Sequence, residues 1–128
     1  MTSNKLEWQR KQRLKDNNLY TKRYEKTKSG FLMRTYRNML SRVSGVTKNK
    51  NHLYLGKEIL PKANFYHWSK CNEDFNKLFL NWGSSNYNRK LTPSIDRINP
   101  DIGYIFGNIR WITFSENCKS TRRNYGKK

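Results

Sequence analysis

The chain has 128 residues, 34% of them hydrophobic and 14% aromatic, with 27 Lys and Arg against 9 Asp and Glu for a net charge of +18. That length suits one domain, or one small domain with an extension. No apolar run approaches the roughly 18 residues that span a bilayer, and "MTSNKLEWQRKQRLK" lacks the apolar stretch of a secretory signal. Cys71 and Cys118 are too few for a disulfide framework, so the expectation is reduced thiols, no membrane and a cytoplasmic setting.

The charge is unevenly spread. Residues 1–50 carry 14 basic and 3 acidic side chains, residues 51–88 carry 4 and 3, and the last ten residues hold five basic groups and no acid. Two cationic ends around a nearly neutral, aromatic-rich middle suit a protein that lies along a phosphate backbone. Solubility alone needs less charge than this on 15.5 kDa. Nucleic acid is therefore the expected partner, and the composition fits RNA as well as DNA.

In chain order, residues 1–30 form a basic arm without a sustained apolar period. Leu6, Trp8 and Leu14 offer a weak helical stripe, and ordering by nucleic acid is the alternative. Residues 31–88 read as a helical region. In "GFLMRTYRNMLSRVSG", Leu32, Tyr36, Met39, Leu40 and Val43 follow helical spacing, with Arg34, Arg37 and Arg42 on other faces and Gly45 as a stop. "KNKNHLYLGKEI" reads as a loop with a short strand or hairpin around 53–59. Pro61 suits the first turn of a helix through "KANFYHWSKC". Asn72 caps another, with Phe75, Leu78, Phe79 and Trp82 on its apolar side and Gly83 at its end.

The pattern then changes. "PSIDRI" is short and alternating, with Pro93 at its start as an edge strand allows. "NPDIGYIFG" is turn-rich. In "NIRWIT", Ile109, Trp111 and Thr113 fall on one side and Arg110 and Ile112 on the other. "TFSE" is a capping box that starts a helix near Phe114, with Thr113 as N-cap and Glu116 three residues on. Strand, loop, strand and helix are expected over 89–124, followed by a basic tail over 125–128.

On that frame Asp96 lies on the first strand, Asn108 begins the second, and Asn117 sits in the first turns of the helix. A carboxylate and an amide oxygen make a sparse hard-oxygen site. Mg²⁺, or Mn²⁺, is commonly held in this way, by a few protein oxygens with water and substrate phosphate. Each residue also has a plain structural role open to it: Asp96 as an ion-pair partner of Arg97 or Arg110, Asn108 as a turn residue, and Asn117 as a first-turn helix residue.

Residues 90–124, "KLTPSIDRINPDIGYIFGNIRWITFSENCKSTRRN", resemble the HNH (ββα-metal) endonucleases, in particular phage and homing types whose last motif residue is Asn. With "KTKSGFLMRTYRNMLSRVSG" and "GKEILPKANFYHWS", the resemblance extends over residues 26–124. It implies an α+β protein, with a basic, mainly helical N-terminal region followed by a C-terminal ββα-metal module. It implies cleavage of double-stranded DNA to 3′-hydroxyl and 5′-phosphate ends, by a phage or mobile-element protein acting in the host cytoplasm. Carried over residue by residue, Asp96 and Asn117 match the metal ligands, and Asn108 matches the residue that braces the loop and orients the base. Arg97 stands where the family has its general-base histidine. Arginine is always protonated and only donates hydrogen bonds, so it cannot take a proton from water. Three routes remain open: Arg97 clamps the scissile phosphate, His67 (less favourably His52) supplies the base, or the chain binds DNA without cutting it. Arg34, Arg37, Arg42, Arg110, Lys119, Arg122 and Arg123 are the expected phosphate contacts.

Overall fold

The computed structural model describes residues 2–15, 19–46 and 48–119. They fall into two compact units, Met1–Arg34 and Thr35–Lys128. In the first, α1 (Thr2–Lys15) and α2 (Leu19–Glu25) make the basic arm helical. Leu6 and Trp8 are exposed on α1, so the weak stripe covers no core there. The side chain of Leu14 lies outside the described residues.

Helix α3 (Lys28–Val43) passes from the first unit into the second. Within the first unit, Gly30 lies so close to the Tyr24 carbonyl that a Cβ would collide with it, which fixes glycine at that position. The helix ends as its sequence foretells. Gly45 takes a φ of +85°, Gly45 N–H donates to Arg42 O at 3.3 Å, and Val46 N–H donates to Ser41 O at 3.0 Å. Those two bonds satisfy carbonyls that the last turn leaves open.

The second unit is mixed α and β. The strand expected over 53–59 is absent. Its place is taken by α4 (Asn51–Tyr54) and a turn, with Ile59 making a single parallel bridge to Tyr104. The reason is tertiary: the Tyr54 ring stacks on Tyr104 at 6.1 Å, and a one-turn helix presents it for that contact. Helix α5 (Lys62–Lys70) follows Pro61. Helix α6 (Glu73–Ser84) is capped by Asn72, whose Oδ1 accepts from Phe75 N–H at 2.9 Å. Gly83 lies inside α6 and does not end it; the stop is at Asn86 and Tyr87, both with positive φ.

Strands β1 (Pro93–Arg97) and β2 (Ile109–Thr113) pair antiparallel, with Ile95 opposite Trp111 and Asp96 opposite Arg110. Alternation sends Ile95, Ile109, Trp111 and Thr113 to the buried side. Trp111 is the hub of that side. Its ring lies 4.6 Å from Phe75 and 6.0 Å from Phe65, and its indole N–H donates to the buried Ser69 Oγ at 3.2 Å. Helices α5 and α6 thus cover the inner face of the β-pair.

Directly after β2 a helix runs over 114–119, here α7. Thr113 Oγ1 caps it by accepting Glu116 N–H at 3.1 Å, and Phe114 N–H donates to Thr92 O at 2.8 Å. The second bond ties the start of α7 to the start of β1. Phe114 itself is at the surface, under the Arg89 guanidinium at 5.2 Å, and does not join the core.

Candidate metal and phosphate site

Ser94 and Asp96 point to the outer face of β1, opposite to Ile95, because successive side chains alternate. Across from them on β2 stand Ile112 and Arg110. Arg110 Nε donates to Asp96 Oδ2 at 2.8 Å. Asp96 is buried although it is a carboxylate, whereas the Arg110 side chain is 54% exposed. A buried carboxylate needs a partner, and here the partner reaches it from solvent.

Helix α7 brings Asn117 to the same face. Its Nδ2 donates to Ser94 Oγ at 2.7 Å and to Ile95 O at 3.1 Å. Two acceptors on β1 therefore set which way the amide lies. Asp96 and Asn117, 21 positions apart in the sequence, thus both belong to β1, Asp96 as one of its residues and Asn117 through hydrogen bonds to it. A carboxylate and an amide oxygen are hard donors of the type a divalent cation such as Mg²⁺ takes. Among the described residues no group of three His, Cys, Asp or Glu side chains converges, so a richer, softer metal site is not formed there.

Asn108 braces the loop between the strands. Its Oδ1 accepts Asn99 N–H at 2.8 Å, and its Nδ2 donates to Gly103 O at 2.8 Å, Asn99 O at 3.1 Å and Ile102 O at 3.3 Å. Gly103 is held so near Glu58 that a Cβ would strike its backbone, and Tyr104 N–H donates to Glu58 O at 2.7 Å. The loop is fixed from within by Asn108 and from outside by residues 58–60.

Arg97 does not face the Asp96 side. It turns to the inner side, as alternation requires, and Nη1 donates to Pro100 O at 2.9 Å, Leu53 O at 3.1 Å and Ile102 O at 3.3 Å. Its guanidinium also lies 4.1 Å from the Tyr54 ring centroid and 5.6 Å from that of Tyr104. Arg97 is thus engaged with loop carbonyls through Nη1 and lies against two tyrosine rings. Arg42 is the second cation there. It donates to Tyr104 Oη at 3.3 Å and lies 5.6 Å from the Tyr54 ring, so it supports the same cluster. Burial raises the Tyr104 pKa above the ordinary value, and the Arg42 charge works against that rise.

His67 is also not brought to Asp96. It sits on α5, which packs through Phe65 and Ser69 on the Trp111 face, the opposite side of the β-pair. There it lies 4.0 Å from Cys71 Sγ and lines an open groove of about 640 Å³ with Trp68 and Phe106. Both cysteines are free thiols. Of the remaining cations, Arg37, Arg110 and Lys119 are exposed, and Arg34 pairs with Glu25 at 2.8 Å. Arg122, Arg123 and the tail over 125–128 lie outside the described residues. The sequence offers Asp96 two partners, Arg97 and Arg110, and the register selects Arg110.

Among the described residues no helix is long and apolar enough to cross a membrane. No family model matches the chain, and no curated protein or solved structure matches it.

Proposed function

We propose that the chain is a divalent-metal-dependent DNA endonuclease of the HNH (ββα-metal) type. The observation that carries this reading is the buried Asp96 carboxylate, on the strand face to which α7 anchors Asn117. Mg²⁺ or Mn²⁺ held by Asp96 and Asn117 would polarise a phosphodiester and stabilise its leaving oxygen. The chain's own residues do the rest. Arg110, exposed beside Asp96, offers its guanidinium to a phosphate oxygen of the strand to be cut. Asn108 holds the 98–108 loop at one shape, and Arg97 locks that loop from its other side. Arg37, Lys119 and the basic N-terminal helices hold the duplex backbone without reading bases.

His67 lies across the β-pair from Asp96, and on this reading the proton of the attacking water leaves to solvent. Lacking a positioned base, the rate should fall roughly 10²- to 10⁴-fold below that of a site that has one. A second reading, a DNA-binding protein without cleavage, is favoured by one specific observation: Arg110 already neutralises Asp96. Supercoiled plasmid separates the two. Relaxation in Mg²⁺ or Mn²⁺, abolished by EDTA, is the expected result. Retarded but intact plasmid under every metal condition would leave the binder.

A further inference from the structure

The Asp96–Arg110 pair is asymmetric. The side chain of Asp96 is 9% exposed and that of Arg110 is 54% exposed. The bond uses Nε, and more than half of the Arg110 side chain stays exposed to solvent. The Arg110 side chain itself can be solvated outside the pair, being half exposed. The Asp96 carboxylate is buried, and leaving it without a counter-charge is costly. Whatever takes Arg110 away must be matched by a cation that takes its place.

We infer that Arg110 is a latch that couples the binding of a divalent cation at Asp96 to the binding of a DNA phosphate. Without DNA, Arg110 is the counter-ion of Asp96 and competes with the divalent cation for Oδ2. With DNA, the phosphate becomes the partner of Arg110, and Oδ2 is released to the cation. Each ligand removes one side of the competition, so each strengthens the other. The gain is reciprocal: DNA raises cation affinity by the factor by which the cation raises DNA affinity. Arg110 thus acts as a positioning residue that keeps the cation site weak until a phosphate is in place. This inference rests on the metal site proposed above.

The test uses the full chain, Mn²⁺ and a short phosphorothioate duplex. Mn²⁺ affinity without DNA is read by electron paramagnetic resonance. Duplex affinity, with and without Mn²⁺ at constant ionic strength, is read by fluorescence anisotropy. In the wild type Mn²⁺ should raise duplex affinity roughly 5-fold or more, within the usual range of such couplings. Arg110→Gln should bind Mn²⁺ more tightly without DNA and lose most of the coupling. Arg110→Lys keeps the charge without the fork and should fall between them; it also serves if Arg110→Gln does not fold. Asp96→Asn should lose the Mn²⁺ site in every background. If Mn²⁺ binding depends on Asp96 but neither Arg110 variant changes it or the coupling, the latch is overturned and the metal site stands. If neither the wild type nor an Arg110 variant binds Mn²⁺ through Asp96, the metal site and the latch fall together.

Discussion

Arg97 and Asn108 share one acceptor: Arg97 Nη1 and Asn108 Nδ2 each donate to the carbonyl of Ile102 at 3.3 Å. The two side chains grip the same loop from two sides. The three Arg97 bonds all run from Nη1, so one end of its guanidinium serves Leu53, Pro100 and Ile102 together. Arg97 is therefore a structural clamp on this loop.

It follows that Arg97→Ala should destabilise the second unit by about 2–3 kcal/mol, the scale of losing charge-assisted hydrogen bonds with a cation–π contact. Arg97→His should also be less stable than the wild type, and it should gain no cleavage, because its ring would lie on the inner side of β1. Urea unfolding and plasmid relaxation check both halves. A histidine variant that is stable and cuts faster would show that position 97 does reach the outer face.

Asn108 tests the brace from the other side. Asn108→Ala removes four hydrogen bonds and should cost roughly 4 kcal/mol at about 1 kcal/mol each. Asn108→Asp should be worse at neutral pH, since its carboxylate would meet the carbonyls of Asn99, Ile102 and Gly103. Equal midpoints for the two variants would mean that a carboxylate at position 108 does not meet those carbonyls; a wild-type midpoint in Asn108→Ala would mean that the loop does not depend on Nδ2 donation.

Alkaline pH probes the tyrosines. Burial raises the pKa of both Tyr36 and Tyr104 above the ordinary 10.0. The folded state then keeps these phenol protons to higher pH than the unfolded chain does. That stabilisation is complete below pH 10 and is lost as pH rises through the raised values. Urea midpoints should be level from about pH 8 to 10 and fall above it. Tyr104→Phe should flatten the fall; an unchanged alkaline slope in that variant would remove Tyr104 as its source.

Binding to duplex DNA should depend steeply on salt. If about six phosphates are neutralised, affinity drops roughly 10³-fold between about 50 and 200 mM salt. Replacing Arg37 or Lys119 by Ala should lower the slope by about one each and weaken all duplexes alike. A flat titration would exclude backbone contacts as the basis of binding.

What was legible in the sequence was local. The Asn72 and Thr113 caps, the Gly45 stop and the two faces of "NIRWIT" each depend on residues within a turn or a strand, and each is where its chemistry places it. What was not legible depended on distant partners. Nothing near Tyr54 announces that its ring will stack on Tyr104, and so the short apolar alternation of "HLYL" reads as strand where a helical turn forms. Arg42 and Arg97 looked like surface cations because the Tyr104 hydroxyl and the Leu53 carbonyl lie 62 and 44 residues from them. Asp96 had Arg110 among its foreseeable partners, since the register of a short hairpin follows from its two alternating segments.

The most direct test of the metal site is plasmid relaxation by Asp96→Asn in Mg²⁺ and in Mn²⁺, beside the wild type, with duplex affinity measured on the same samples. Asparagine keeps the size of the side chain and a partner for Arg110 while removing the charge a divalent cation requires. The wild type should nick in a metal-dependent way, Asp96→Asn should lose that nicking by roughly 10²-fold or more, and both should still bind DNA. Nicking by Asp96→Asn at the wild-type rate and with the same metal dependence would contradict the metal site.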